Sequence, residues 1–187
     1  MGFTREQLAA FQGKTVDDIL GPHVRLLFVG INPGLWTAAT NTHFCHPSNR
    51  FYPALRRAGL IDWSIDTSAG MSTEEKARLE RSGIGITNLV RRATVRASEL
   101  GATELRQGAG RLEAVVADVK PVVVAVAGLT AYRTGFERSR AVLGEQPETI
   151  GDSRLWVVPN PSGLNAHETI ESLGQWYRRV GESAGLL

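Results

Sequence analysis

A nearly unbroken apolar run at residues 26–31, which stops at Asn32-Pro33-Gly34, limits the fold of this chain more than any other feature. A strand buried on both faces of a parallel sheet has this pattern, whereas a surface strand alternates apolar and polar residues. Ligands of open parallel sheets bind beyond the carboxyl ends of the strands. The run therefore predicts that Asn32 faces a binding crevice, although Asn, Pro and Gly are also the usual residues of an ordinary turn.

Further apolar segments along the chain repeat this pattern. With the first run they predict four strands at residues 24–31, 84–90, 122–127 and 155–159. Periodicity and capping residues predict helices that begin at Thr4 and at Ser72 or Thr73, a long helix at 103–119, and a last helix from about 167 to 183. We therefore expect one α/β domain over residues 1–187, with three layers and a central, mostly parallel sheet of about four strands.

The composition excludes several classes of protein and site. The single cysteine, Cys45, rules out an internal disulfide framework and a four-cysteine cluster, and four histidines do not favour a buried zinc site, so we expect no metal and no cofactor. The absence of a long apolar run and of an apolar signal core predicts a cytoplasmic protein without a membrane partner. A pI of about 9.0 and mostly arginine cations are compatible with a nucleic-acid face or with solvated helix surfaces.

Three short motifs occur in order along the chain. They are Gly-Ile-Asn-Pro-Gly at 30–34, Phe44 followed by His-Pro-Ser-Asn-Arg-Phe at 46–51, and Asn-Pro-Ser-Gly-Leu at 160–164. In these motifs the chain resembles the mismatch-specific uracil-DNA glycosylases, the bacterial branch of the thymine-DNA glycosylase family, over nearly its whole length. The resemblance implies hydrolysis of the N-glycosidic bond of uracil, or a related damaged pyrimidine, mispaired with guanine in double-stranded DNA. The base would be flipped out of the helix and an abasic site left behind.

The resemblance also implies a role for Asn32 in positioning the attacking water. A neutral amide binds protons very weakly and cannot act as a general base. The bond must then break mainly by departure of the base as an anion, while water adds late to an oxocarbenium-like sugar. We expect no strand cleavage, because lyase chemistry needs an amine nucleophile and no lysine lies near a motif.

Further site residues are carried over from the family's motifs and their surroundings. Contacts with the flipped base are expected from Ile31, Thr37, Phe44, Asn88 and Asn160, with Phe44 stacking on the pyrimidine. Contacts with DNA are expected from Gly163, Leu164, Asn165 and Arg91, with Leu164 filling the gap left by the base.

The chain departs from the family pattern at two places. Ala166 stands where members carry arginine, and Arg91-Arg92-Ala93 stand where an acidic residue is usual. Related uracil-specific enzymes also carry histidine where Asn160 stands, which predicts modest turnover here. A module that binds mismatched or abasic DNA with little turnover is therefore the alternative hypothesis. A nucleotide binder of another class lacks support, since no phosphate-binding glycine motif is present. No obligate protein partner is implied.

Overall fold

The computed structural model describes residues 2–187, so only Met1 of the predicted domain lies outside the described residues. The strands are β1 (Leu26–Gly30), β2 (Ile84–Asn88), β3 (Val123–Ala127), β4 (Gly144–Ile150) and β5 (Ser153–Val158). The helices are α1 (Arg5–Ala9), α2 (Leu35–Thr40), α3 (Phe51–Ala58), α4 (Thr73–Arg81), α5 (Ala102–Val119), α6 (Leu129–Gly135) and α7 (Ile170–Ser183). A short 3₁₀ helix, Ala97–Glu99, follows β2.

The strands form one sheet in the order β2-β1-β3-β5-β4. The four predicted strands are mutually parallel, which confirms the mostly parallel α/β sheet. The fifth strand, β4, was not predicted and pairs antiparallel with β5 at the edge of the sheet. Its sequence, Gly-Glu-Gln-Pro-Glu-Thr-Ile, gives little strand signal, because it contains proline and charged residues and no apolar alternation. An edge strand tolerates such residues, and the register of β4 is irregular between Glu145 and Thr149.

The helices cover both faces of the sheet and make three layers. Side chains alternate along β1: Leu26 and Phe28 pack with α3, α4 and α7, whereas Leu27 and Val29 pack with α5 and α6. Every residue of β1 is buried, which is why the run at 26–31 carries no polar residue. Among residues 2–187, no helix combines the length and the apolar character that a membrane crossing requires.

The predicted helix starts are largely confirmed. Thr4 and Ser72 form capping boxes at the beginning of α1 and α4, and α5 covers the predicted long helix. The last helix begins at Ile170, later than predicted, because Thr169 accepts a hydrogen bond from the Ser172 amide and caps it there.

The parallel strands bring their carboxyl ends to one edge of the sheet. The last residue of β1, Gly30, is in register with Asn88, the last residue of β2. Beyond the strands the two chain segments stay together, since Gly34 bridges to Thr94. Residues 30–34 and 88–94, far apart in sequence, therefore form one wall at this edge.

Candidate active site

A cavity of about 740 Å³ opens at the carboxyl edge of the sheet. Eight of the predicted site residues line it: Ile31, Asn32, Thr37, Phe44, Asn88, Asn160, Leu164 and Asn165. The other two do not line it. Gly163 sits beside Leu164 but approaches Ser48, and Arg91 is an exposed residue outside the cavity wall. An exposed arginine that does line the cavity, Arg96, was not among the predicted site residues.

The half-buried Asn32 is held through the nitrogen of its side-chain amide. Nδ2 donates to Thr94 Oγ1 at 2.7 Å and lies 3.0 Å from Arg92 O and 3.1 Å from Pro33 O. Thr94 Oγ1 in turn donates to Arg96 O at 2.8 Å, so it meets Asn32 as an acceptor. Because all these neighbours present acceptors, the opposite orientation of the amide would place oxygen against oxygen.

The orientation of Asn32 determines what the residue can do. The nitrogen side is engaged with protein acceptors, and among the described residues Oδ1 takes part in no hydrogen bond. Oδ1 therefore remains able to accept a hydrogen bond from a molecule in the cavity, such as water. A preorganised acceptor of this kind orients a water molecule without taking its proton.

A second asparagine, Asn88, is oriented by a buried histidine. His43 Nε2 lies 2.9 Å from Asp17 O, which can only accept, so Nε2 carries the hydrogen and Nδ1 is left as an acceptor. Asn88 Nδ2 donates to this Nδ1 at 3.0 Å. Burial lowers the pKa of His43 from 6.5 to about 4, and the ring is therefore neutral near pH 7. The neutral ring directs the nitrogen of the Asn88 amide towards itself.

The amide oxygen of Asn88 lies over Gly30, where there is no room for a side chain. A Cβ at Gly30 would overlap Asn88 Oδ1 and come within 3.1 Å of Phe44 Cζ. This close approach explains the glycine that ends β1. Asn88 is also tethered through its backbone, because Arg111 on α5 donates to the carbonyl oxygens of Asn88 and Leu89.

Phe44 presents an aromatic ring to the cavity from a strained backbone. Its φ of 55° lies in the left-handed region, which a phenylalanine rarely adopts. Its ring stacks on Phe51 with centroids 4.0 Å apart and planes at 21°. Such strain is retained where the surrounding structure imposes it, often at functional sites. The stack leaves Phe44 half-buried and placed to meet a planar ligand.

The loop at residues 160–165, which we call the wedge loop, is ordered by its own hydrogen bonds. Asn160 Oδ1 accepts from the Ser162 amide at 3.0 Å, and Asn165 Nδ2 donates to Asn160 O at 3.0 Å. Leu164 lies at the tip and is 91% exposed, the most exposed large apolar side chain among the described residues. The hydrogen bonds of the loop thus hold an exposed apolar side chain at the rim of the cavity.

The wedge loop is fixed to the segment that carries Phe44. Arg50 donates from its amide to Pro161 O at 3.0 Å and from Nη1 to Asn165 O at 3.0 Å. Gly163 lies directly on Ser48: a Cβ there would be 2.6 Å from Ser48 Cβ and 2.7 Å from Ser48 O. These contacts explain why the second and third motifs contain residues, Arg50 and Gly163, that do not line the cavity.

Sequence reasoning missed the residues that orient the site. His43, Thr94 and Arg111 act through hydrogen bonds to groups distant in sequence, and nothing local to them signals that partner. Arg50 belongs to the second motif, but its contacts with the wedge loop were not predicted. Among residues 2–187, no group of three or more His, Cys, Asp or Glu side chains is placed to hold a metal ion.

Comparisons with known proteins concern the family and the fold of the chain. The family model of the Uracil DNA glycosylase superfamily matches residues 18–180. A solution NMR structure from Methanosarcina acetivorans, provisionally named a uracil DNA glycosylase, superimposes with a TM-score of 0.57 and 17% identity, over 91% of this chain and 98% of that chain. At this identity the structural likeness supports the fold alone. Since the family match spans most of its length, the chain belongs to the uracil DNA glycosylase superfamily.

Proposed function

We propose that this protein is a monofunctional DNA glycosylase that hydrolyses the N-glycosidic bond of uracil, or a related damaged pyrimidine, mispaired with guanine in duplex DNA. Membership of the superfamily supports DNA glycosylase activity in general. The observation that carries the finer proposal is the orientation of Asn32, whose Oδ1 is open to a cavity shared with Phe44 and the wedge loop.

In this proposal Asn32 holds the attacking water and does not deprotonate it. Its Oδ1 accepts a hydrogen bond from the water beside the sugar. The N-glycosidic bond breaks before this water adds. The base leaves as an anion, and the sugar passes through an oxocarbenium-like state that the held water then captures. The proton that the added water loses goes to the departed base anion or to solvent. Positioning and stabilisation of the departing charge supply the rate acceleration.

The neighbouring side chains would recognise the flipped base. Phe44 offers a ring on which a pyrimidine can stack, a contact worth about 1–3 kcal/mol but indifferent to the identity of the base. Asn88 Oδ1 is an acceptor and suits the N3–H of uracil. The N3 of cytosine carries no hydrogen and is itself an acceptor, so it and Asn88 Oδ1 would repel each other. The orientation of Asn88 by His43 thus supports discrimination against normal cytosine.

The wedge loop would hold the DNA open after the base has left the stack. Leu164 fills the vacated space, and the backbone of Gly163 and Asn165 reads the orphaned guanine. A mismatched base costs less to flip than a paired one, which favours uracil opposite guanine. The cavity lining, drawn from the described residues, includes no lysine, in keeping with hydrolysis without strand cleavage.

Single-turnover excision from duplexes that hold one uracil opposite guanine tests the proposal, with Asn32→Ala as the comparison variant. We expect release of uracil, an intact abasic strand, and a loss of about 100-fold or more in Asn32→Ala. Absence of base release, or full activity of Asn32→Ala, would refute the glycosylase proposal. In a second assay with substrate in excess, a burst of one base per protein without further turnover would favour the damage-recognition module. Parallel duplexes with uracil opposite adenine measure the preference for the mismatch.

A further inference from the structure

The segment that precedes the family match packs against residues that support the site, on the side away from the cavity. We call residues 11–17 the N-terminal strap; the match begins at residue 18. The strap forms a short backbone pairing with Ala93: Gly13 N donates to Ala93 O at 2.8 Å, and Ala93 N donates to Lys14 O at 2.7 Å. Ala93 is fully buried beneath this pairing.

Ala93 lies between the two residues that hold Asn32. Arg92 contributes its carbonyl oxygen and Thr94 its hydroxyl to the Asn32 amide, at 3.0 and 2.7 Å. Both the backbone N–H and the carbonyl oxygen of Ala93 form hydrogen bonds with the strap. The strap therefore helps to hold the backbone that places the two acceptors of Asn32, together with the bridge between Gly34 and Thr94.

The far end of the strap holds the second asparagine of the site. Asp17 O accepts the hydrogen of His43 Nε2 at 2.9 Å, and His43 Nδ1 accepts from Asn88 at 3.0 Å. Asp17 is itself tied to Asn41, with its amide 3.1 Å from Asn41 Oδ1 and its carboxylate 3.0 Å from Asn41 Nδ2. One short segment thus reaches the supports of both cavity amides.

Apolar packing fixes the strap in this position. Phe11 and Val16 pack with Ala93, Ala38 and Leu35 in a cluster separate from the two main cores. Leu35 also lines the cavity, but no residue of the strap does. Any effect of the strap on a bound nucleotide must therefore act through its neighbours.

We propose that the N-terminal strap is a positioning element that sets the orientation of both Asn32 and Asn88 for base excision. This inference rests on the proposed function for its kinetic consequence, but its structural content, the order of two side-chain amides, can be measured without activity. Residues 13 and 14 of the strap pair with the backbone of Ala93. At its other end, the Asp17 carbonyl oxygen accepts a hydrogen bond from His43 Nε2 and so keeps the hydrogen of the ring on that nitrogen.

Phe11→Ala tests the proposal in the full chain, because it removes the packing of the strap and leaves its backbone groups intact. Phe136→Ala is the matched control: Phe136 is also half-buried, but it stacks on Tyr132 at 4.6 Å and is not part of the cavity wall. Phe11→Leu, which keeps an apolar side chain in place, is the conservative variant. All are compared at a temperature at which circular dichroism shows them folded.

We expect Phe11→Ala to lower the single-turnover excision constant about tenfold, as residues acting through packed neighbours can. Its affinity for duplex DNA should stay within about twofold of the parent, because the strap does not line the cavity. Phe11→Leu and Phe136→Ala should stay near the parent in both measurements. Equal losses in the two alanine variants, or a loss confined to affinity, would overturn the proposal.

The NMR signals of the side-chain amide groups provide the readout that is independent of activity. In Phe11→Ala the Asn32 and Asn88 NH₂ signals should shift or broaden, and the Ala93 amide should exchange faster with solvent. In Phe136→Ala these signals should be unchanged. If they are also unchanged in Phe11→Ala, the strap does not orient the amides. If they respond as expected in a chain that releases no base, the positioning inference stands and the proposed function fails.

Discussion

Replacement of Thr94 by valine is the sharpest test of how Asn32 is oriented. Thr94 is 1% exposed, and valine keeps its shape while it removes the hydroxyl. Two hydrogen bonds are lost, from Asn32 Nδ2 at 2.7 Å and to Arg96 O at 2.8 Å. At about 0.5–1.5 kcal/mol each, they predict a loss of about 1–3 kcal/mol in the free energy of unfolding. For a chain of this size that corresponds to a fall of roughly 2–12 °C in Tm.

The effect on catalysis follows from the same hydrogen bonds. Asn32 retains Arg92 O as an acceptor but loses its shortest contact, so the correct orientation is weakened by about 1 kcal/mol and excision slows about fivefold. The assay is single-turnover release of uracil at saturating enzyme, combined with urea unfolding of the same preparations. Thr94→Ser keeps the hydroxyl and should retain most of the rate. If Thr94→Val loses stability but excises uracil at the parent rate, Thr94 does not orient the catalytic amide.

Three further predictions concern the wedge loop and the buried histidine. Leu164→Ala should leave the free energy of unfolding within about 0.5 kcal/mol, since Leu164 is 91% exposed, yet reduce base flipping, measured by the fluorescence of 2-aminopurine beside the uracil; unchanged flipping would exclude the wedge role. Gly163→Ala should impair flipping and lower the free energy of unfolding by about 1–3 kcal/mol, because its Cβ would lie 2.7 Å from Ser48 O. Urea unfolding measures this loss, and a fully stable variant would show that the loop moves freely. His43, with a pKa of about 4 when folded against 6.5 unfolded, should make the free energy of unfolding fall by about 3 kcal/mol as the pH drops from 7 to 4, because the unfolded chain binds the proton first. Urea unfolding measured across this pH range should show a weaker dependence of the free energy of unfolding on pH for His43→Gln. If the parent and the variant show the same dependence, other groups cause it.

The parts of the fold that were predicted are those that local sequence controls. Burial on both faces forces β1 to be apolar throughout, so the run at 26–31 indicates a central strand by itself. The capping boxes at Thr4 and Ser72 are satisfied within a few residues and show directly in the sequence. The edge strand β4 obeys no such local requirement. One side of it needs no partner, and its charged residues and proline resemble those of a loop.

The candidate site divides in the same way. The sequence alone shows which chemical groups the three motifs carry: the amide of Asn32, the aromatic ring of Phe44 and the apolar side chain of Leu164. The inability of an amide to act as a base follows from its chemistry alone. Parallel topology predicts that Asn32 and the loop of Leu164 meet, because each follows a strand whose carboxyl end lies at the same edge of the sheet. Phe44 lies between α2 and α3, and only the folded structure brings it to that edge.

Which atom of each amide is engaged by the protein, and which is left for a ligand, depends on residues that meet only in the folded chain. Asn32 is oriented by Thr94, 62 residues away, and Asn88 by His43, 45 residues away. The oxygen and nitrogen of an amide have nearly the same shape, so packing does not distinguish them; their hydrogen-bond partners do. Those partners come together only when the sheet, the strap and the loops are folded, because a hydrogen bond depends on distance in space and not on distance along the chain.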